Sequence, residues 1–231
     1  VTGSIKAMID NKNIVSIVMA SFQRADLLRY GLASIVRYKP TFAFEVVVVN
    51  DGLANDGTEE VCNEFKSELN IHYHFTGQRN INGIIRRNPA IPNNYAIRQA
   101  KGDIVILTCP EIVHRNNAIE IFVNVLREQK KAIVIPENMF FDFNGKYTQS
   151  IKNGERGSNS LLTKRNDHVK MPFLFGIWKN HIEEIRGYDE EFVGIGQEDC
   201  DFVNRLLLKG CSFVKTSAQI IHLHHNNHSY G

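Results

Sequence analysis

Acidic side chains stand at three places where apolar runs give way to turns, and each has a different chemistry within reach. Asp51, in Asn50-Asp51-Gly52, follows the β-branched run FEVVVV. A carboxylate at the tip of a buried strand can accept the imide N–H of a uracil or a comparable base edge. Gly52 permits the tight turn behind it, although good Asp/Gly turn chemistry is the plainer account of the same residues. Glu111, in Thr108-Cys109-Pro110-Glu111, follows the run DIVILT. Glu198 and Asp199 open a helical pattern behind a glycine-rich approach, Gly194 and Gly196.

Basic and imidazole groups supply possible counterparts. Arg24 ends the stretch Ala20-Ser21-Phe22-Gln23-Arg24, where Ser21 can cap a helix whose N-terminus could host an anion. Arg79, Arg86 and Arg87 lie in the polar, turn-rich segment 78–94, and guanidinium forks suit a diphosphate. The tail carries His222, His224, His225 and His228. On an extended segment His222 and His224 share a face. Two imidazoles with Glu111 would make a borderline metal site; a solvated tail is the alternative.

These residues need a scaffold, and the hydrophobic pattern describes one. Strands are expected at 14–19, 44–49, 71–75, 103–108 and 132–136, alternating with helices at 24–37, 56–69, 93–100 and 116–129. Strand–helix alternation implies a mostly parallel central sheet with helices on both faces. Ligands on such sheets sit beyond the carboxyl ends of the strands, so 20–23, 50–52 and 109–111 are the positions to watch. The pattern breaks after Pro136. Segment 144–167, rich in Gly, Asn, Ser and Lys, reads as an irregular excursion, and regularity returns at 172–178, 180–185 and 198–209.

Bulk properties narrow the function. A chain of 231 residues with 43% hydrophobic and 23% charged residues has an ordinary globular balance. A net charge of +2 without a Lys/Arg block argues against nucleic acid as partner. The four cysteines form no CxxC pair, which favours a reducing, cytoplasmic setting over a disulfide framework. No apolar run approaches the length of a membrane span, and the first residues have no signal-peptide core.

Three segments, VSIVMASFQRADLL, EVVVVNDGLANDGT and RRNPAIPNNYAIRQAKGDIVILT, resemble the N-terminal half of family 2 glycosyltransferases of the GT-A fold. FLFGIWKNHIEEIRGYDEEFVGIGQEDCDFVNRLLLKG resembles the acceptor-side segment of galactosyltransferase-like and chondroitin-polymerase-like enzymes. The resemblance implies a Rossmann-like GT-A domain with a nucleotide-sugar-binding half at 14–136 and an acceptor-side half at 137–231. It implies an inverting single displacement from a nucleotide-sugar donor, a UDP-sugar by preference, to a glycan or other hydroxyl acceptor, with a divalent cation (Mn²⁺ or Mg²⁺) as cofactor.

Carried over by position, Asp51 is the base-recognition acid, Ala20 and Phe22 line that pocket, and Arg24 and Arg87 join the donor-binding set. Asp199 is the catalytic base and Glu198 its acidic neighbour. Glu111 matches the second acid of the family's DxD motif, and His222 or His224 would complete the metal set. Cys109 stands where the first acid of that motif belongs, so the metal site is thinner than usual. That departure keeps open a catalytically weakened nucleotide- or carbohydrate-binding module.

Overall fold

A computed structural model describes residues 14–77, 88–165, 173–193 and 196–225. Arg79, Arg86 and Arg87 lie outside these residues.

The apolar runs become strands and the amphipathic stretches become helices. β1 (Val15–Ser21), β2 (Phe44–Asn50), β3 (Ile71–Phe75) and β4 (Ile104–Thr108) alternate with α1 (Ala25–Arg37), α2 (Thr58–Glu64) and α3 (Ala90–Gln99). β1 pairs in parallel with both β2 and β4, and β2 with β3. All four carboxyl ends therefore open on one edge of the sheet, the arrangement expected from strand–helix alternation.

The second half is more mixed. β5 (Ile112–His114), α4 (Ala118–Glu128) and β6 (Ala132–Phe141) precede α5 (Lys146–Lys152), a 3-10 turn (Asn159–Leu161) and β7 (Thr163–Arg165). β8 (Leu174–Trp178), α6 (Lys179–Glu184), α7 (Glu198–Leu208) and β9 (Ser212–His222) follow. The described residues form a nine-stranded sheet of order β3-β2-β1-β4-β8-β6-β9-β5, with β7 beside β6. β8 is antiparallel to β4 and to β6, β9 runs parallel to β6, and β5 antiparallel to β9. The sheet is thus parallel across β3-β2-β1-β4 and mixed beyond.

Segment 144–167 holds more order than its composition suggests: α5, the 3-10 turn and β7 all fall in it. The strand expected to stop at Pro136 runs on to Phe141 as β6, through an irregularity at Pro136/Asn138 that absorbs the missing proline N–H.

Alternation along the strands splits the core into two layers. Ile17, Met19, Val46, Val48 and Ile106 face α1, α2 and α4 through Leu28, Leu32, Cys62 and Phe122. Val18, Val47, Val49, Val105 and Leu107 face α3, α6 and α7 through Ile97, Ile182, Phe202 and Leu206. Both faces are covered, which explains the unbroken apolar run at 46–49. No helix among the described residues is long and apolar enough to cross a membrane.

Phe202 anchors α7 in the second layer; it is fully buried and stacks on Tyr188 at 4.0 Å between ring centroids. Phe202→Ala is expected to cost about 3–5 kcal/mol of stability, measurable as a lowered midpoint in urea unfolding with an unchanged slope.

Candidate active site

The loops after β1 and β2 are wired to each other. The Asp51 amide donates to the Ser21 carbonyl at 2.8 Å, joining the two strand ends. Asn50, fully buried, donates from Nδ2 to the Leu53 carbonyl and the Asp56 carboxylate, both at 3.0 Å, and its Oδ1 accepts from the Gly52 amide at 2.7 Å. Asp56 in turn accepts from the Gln23 amide at 3.2 Å. A Cβ on Gly52 would sit 2.5 Å from the Asp56 carboxylate and 3.1 Å from the Gln23 amide nitrogen, so a side chain there would displace the Asp56 carboxylate that braces the two loops. This cross-bracing holds Asp51, 1% exposed, at the mouth of the sheet, where its carboxylate accepts from the Thr76 hydroxyl at 2.7 Å. Ala20 is half-buried at the end of β1, and Phe22 is buried in the loop beyond it.

The loop after β4 carries the second group. Glu111 is buried, and its Oε1 lies 3.2 Å from His225 Nε2 and 3.8 Å from His222 Nε2. Two backbone links bring the histidines there. Ile112 pairs with His222 across β5 and β9, and the Leu223 amide donates to the Glu111 carbonyl at 3.0 Å. Burial alone would raise the Glu111 carboxyl. The hydrogen bond with His225 and the charges of His222, His225 and Arg24 outweigh it and hold the group down at about 2. Burial lowers the His222 imidazole, against the raising effect of Glu111.

Ligating atoms of Glu111, His222 and His225 all lie within 4.8 Å of one another. A carboxylate oxygen with two imidazole nitrogens is a donor set that suits a borderline divalent cation. Arg24 Nη2 lies 2.8 Å from His225 Nδ1. A guanidinium only donates, so in this contact Nδ1 accepts and the imidazole proton sits on Nε2, facing Glu111. A cation held at Nε2 requires the other tautomer, and Arg24 would have to release Nδ1.

His224 is turned away from this group. The strand ends at His222, so the two-residue alternation that would align His222 with His224 ends too. The His224 amide donates to the Thr148 hydroxyl at 3.0 Å, and its ring packs against Gly145. His225 takes the place expected of His224. The cluster of tail histidines was visible in the sequence, but the bend that selects among them was not.

The third group is the start of α7. Glu198 is buried, and its Oε2 has no hydrogen-bond partner among the described residues. Asp199 is partly buried and hydrogen-bonded to the Tyr188 phenol. Burial, then the charge of Glu198, raises the Asp199 carboxyl to about 6, against the lowering effect of Tyr188. Gln197 enters the helix at φ 73, in the left-handed region that a side chain adopts only at a cost.

Tyr188 and Asn94 are the residues that sequence reasoning missed. Asn94 on α3 clamps the Tyr188 backbone from both sides, accepting from its amide and donating to its carbonyl, each at 2.8 Å. Gly187, at φ +74, leaves the room that Asn94 occupies. Arg205 adds a brace from α7, donating to the Ile185 and Gly187 carbonyls at 2.7 Å. The fragment RGYDEE signals a turn, but nothing in it points to Asn94.

The groups share one edge. Asp51 and Glu111 follow parallel strands, and Arg24 joins the first loop to the Glu111 cluster. Cys109 and Asp199 both lie close enough to the Tyr188 phenol to act on it electrostatically, so the β4 loop and the start of α7 are neighbours. Such an edge offers an acid for a base edge, a cation-type cluster for negative charge, and a carboxylate of raised affinity for protons.

The comparisons with known proteins agree with this architecture. The family model described as glycosyl transferase family 2 matches residues 16–186, and that described as N-terminal domain of galactosyltransferase matches 173–229. The chain is 24% identical over 237 residues to a chondroitin synthase of Pasteurella multocida (strain Pm70), covering 88% of this chain and 24% of that protein. To a chondroitin synthase of Escherichia coli it is 28% identical over 232 residues, covering 86% and 33%. The chain therefore spans a quarter to a third of the length of these relatives.

In fold it is similar to S. aureus TarS 1-349 in complex with UDP-GlcNAc, with TM-score 0.62, 17% identity and coverage of 92% of this chain and 59% of that one. It is also similar to GalNAc-T7 with UDP, GalNAc and Mn²⁺, with TM-score 0.69, 12% identity and coverage of 92% and 43%. The order of the segments, the sheet and the match over most of its length lead to one conclusion: the chain belongs to glycosyl transferase family 2.

Proposed function

We propose that this chain transfers a sugar from a UDP-sugar donor to a hydroxyl of a glycan acceptor, with inversion at the anomeric carbon. The observation that carries the reading is the meeting of Asp51, the Glu111 cluster and the Asp199–Glu198 pair on one edge of the sheet. The UDP-GlcNAc named with TarS and the UDP, GalNAc and Mn²⁺ named with GalNAc-T7 support the choice of donor and cation. The chondroitin synthases support a glycan acceptor.

Each group has a defined task. Asp51 accepts from the uracil imide, with Ala20 and Phe22 lining the pocket. Glu111, His222 and His225 would hold a divalent cation, which when bound supplies positive charge for the diphosphate. Arg24 contributes further positive charge beside it. Asp199 takes the proton of the acceptor hydroxyl as its oxygen attacks the anomeric carbon. The bond to the diphosphate oxygen breaks, and UDP leaves with that electron pair. Glu198, with its unpartnered oxygen, accepts from a hydroxyl of the bound sugar. The donor is held by 14–136, and 137–231 shapes the acceptor side. The four free cysteines fit a cytoplasmic setting.

A panel of nucleotide sugars titrated into the chain, with and without Mn²⁺, tests the donor. UDP-sugars are expected to bind in preference to GDP- and CDP-sugars. Asp51→Ala should weaken UDP binding by about tenfold or more, since it removes a charge-assisted hydrogen bond and leaves the base edge unpaired. Unchanged UDP affinity in that variant would remove Asp51 from the site. Donor binding without turnover across acceptors would instead favour a binding module.

A further inference from the structure

A second concavity lies at the far end of α1 from Arg24, with Val113 and Ile221 on its wall next to the Ile112–His222 pair. α1 starts beside Arg24 at that edge and ends at Arg37, which lines a cavity of about 790 Å³. A helix of this length puts its ends about 20 Å apart. The cavity is walled by the end of α1, by β5 and by the loop after α5. It has the volume of a ligand site.

Its lining is basic and hydroxylated. Arg37, Arg115 and Arg156 contribute guanidiniums from those three elements, against one carboxylate, Glu155. Glu155 is engaged, accepting from the Ser150 hydroxyl at 2.9 Å. Arg115 is preorganised: Nη2 donates to Asn159 Oδ1 at 3.0 Å, and the guanidinium lies 4.5 Å from the centre of the Phe140 ring. Held this way, it keeps further N–H donors for an oxyanion at little entropic cost. The Tyr147 phenol is half-buried in the same wall, close enough to Arg115 and Arg37 to feel their charge.

The floor points the same way. His114 is 4% exposed, and its Nδ1 is buried without a hydrogen-bond partner among the described residues. Burial lowers its ring to about 4, so it is neutral near pH 7 and adds no charge to the cavity wall. Guanidiniums for an oxyanion, with the Tyr147 phenol and Ser158 hydroxyl for sugar hydroxyls, describe an anionic sugar. A small cavity with three arginines is not the continuous basic track that a nucleic-acid backbone needs.

We propose that this cavity is a second saccharide site, holding a carboxylate- or sulfate-bearing segment of the acceptor glycan at the far end of α1 from Arg24. The assignment of that ligand to an acceptor rests on the transferase reading above; the anion site itself does not. It would retain a charged chain while its end occupies the edge near Asp199.

The test is calorimetric binding of a uronic-acid-containing tetrasaccharide, its carboxyl-reduced neutral counterpart, and inorganic sulfate. The charged tetrasaccharide is expected to bind at least about tenfold more tightly than the neutral one, with sulfate competing. Arg37→Ala combined with Arg156→Ala, both exposed positions, should lower that affinity by about tenfold or more. UDP-sugar binding and transfer to a short neutral acceptor should be unchanged. Equal binding of charged and neutral sugars, or unaltered binding by the double variant, would overturn the proposal. Binding that disappears with Asp51→Ala instead would overturn it by placing the sugar at the transfer edge. Charge-dependent binding by a chain that transfers nothing would sink the transferase reading and leave the anion site standing.

Discussion

Asp199→Asn is expected to lower transfer by about 10²–10⁴-fold, the usual share of a general base, while leaving UDP binding intact. The carboxyl sits at about 6 because burial, then Glu198, opposes its ionisation. The wild-type rate should therefore rise with pH through about 6 and level off above it, and the variant's residual rate should lack that limb. Stability moves the other way. The folded-state pKa is raised above the unfolded value, so the stabilisation is present below about pH 4 and lost as pH rises through about 6. Removing the charge should thus raise the variant's Tm above the wild type's at pH 7 by up to about 6–12 °C and leave it unaltered near pH 4. Inactivity together with higher stability at neutral pH separates a displaced proton acceptor from a misfolded chain. Full activity in the variant would dismiss Asp199 as the base.

His225→Ala should weaken Mn²⁺ binding by about 100-fold or more, because losing a ligand costs at least what losing a ligand's support costs. His224→Ala should leave it within about twofold, as its ring packs on Gly145 rather than on Glu111. The pair is diagnostic: neighbouring histidines, one in the cluster and one outside it. Titration of the folded chain with Mn²⁺, followed by water-proton relaxation, reads affinity without turnover. Equal losses in both variants would mean a diffuse histidine tail. A loss confined to His224→Ala would mean that the cluster is formed by the residues first expected from alternation.

Much of the donor half was legible before any coordinates. The run at 46–49 can be apolar at every position only if both faces are covered, and the structure covers both. The turns after β1, β2 and β4 followed from strand direction. What stayed hidden has a physical cause in each case. β5 is three residues long, too short for any period to register. β9, SFVKTSAQIIH, mixes polar and apolar residues because its burial alternates unevenly, so it offers no clean two-residue pattern. Asn94 bonds to Tyr188 through the backbone, which carries no side-chain signature. The choice of His225 over His224 depends on where a strand ends, the feature that patterning resolves least well.

The position of β9 between β6 and β5 also shapes how the molecule assembles. Glu111 meets its histidines only when β9 pairs with both β6 and β5, closing a loop across half the chain. Recovery from denaturant should accordingly run in two stages, with far-UV signal returning first and cation affinity trailing behind it.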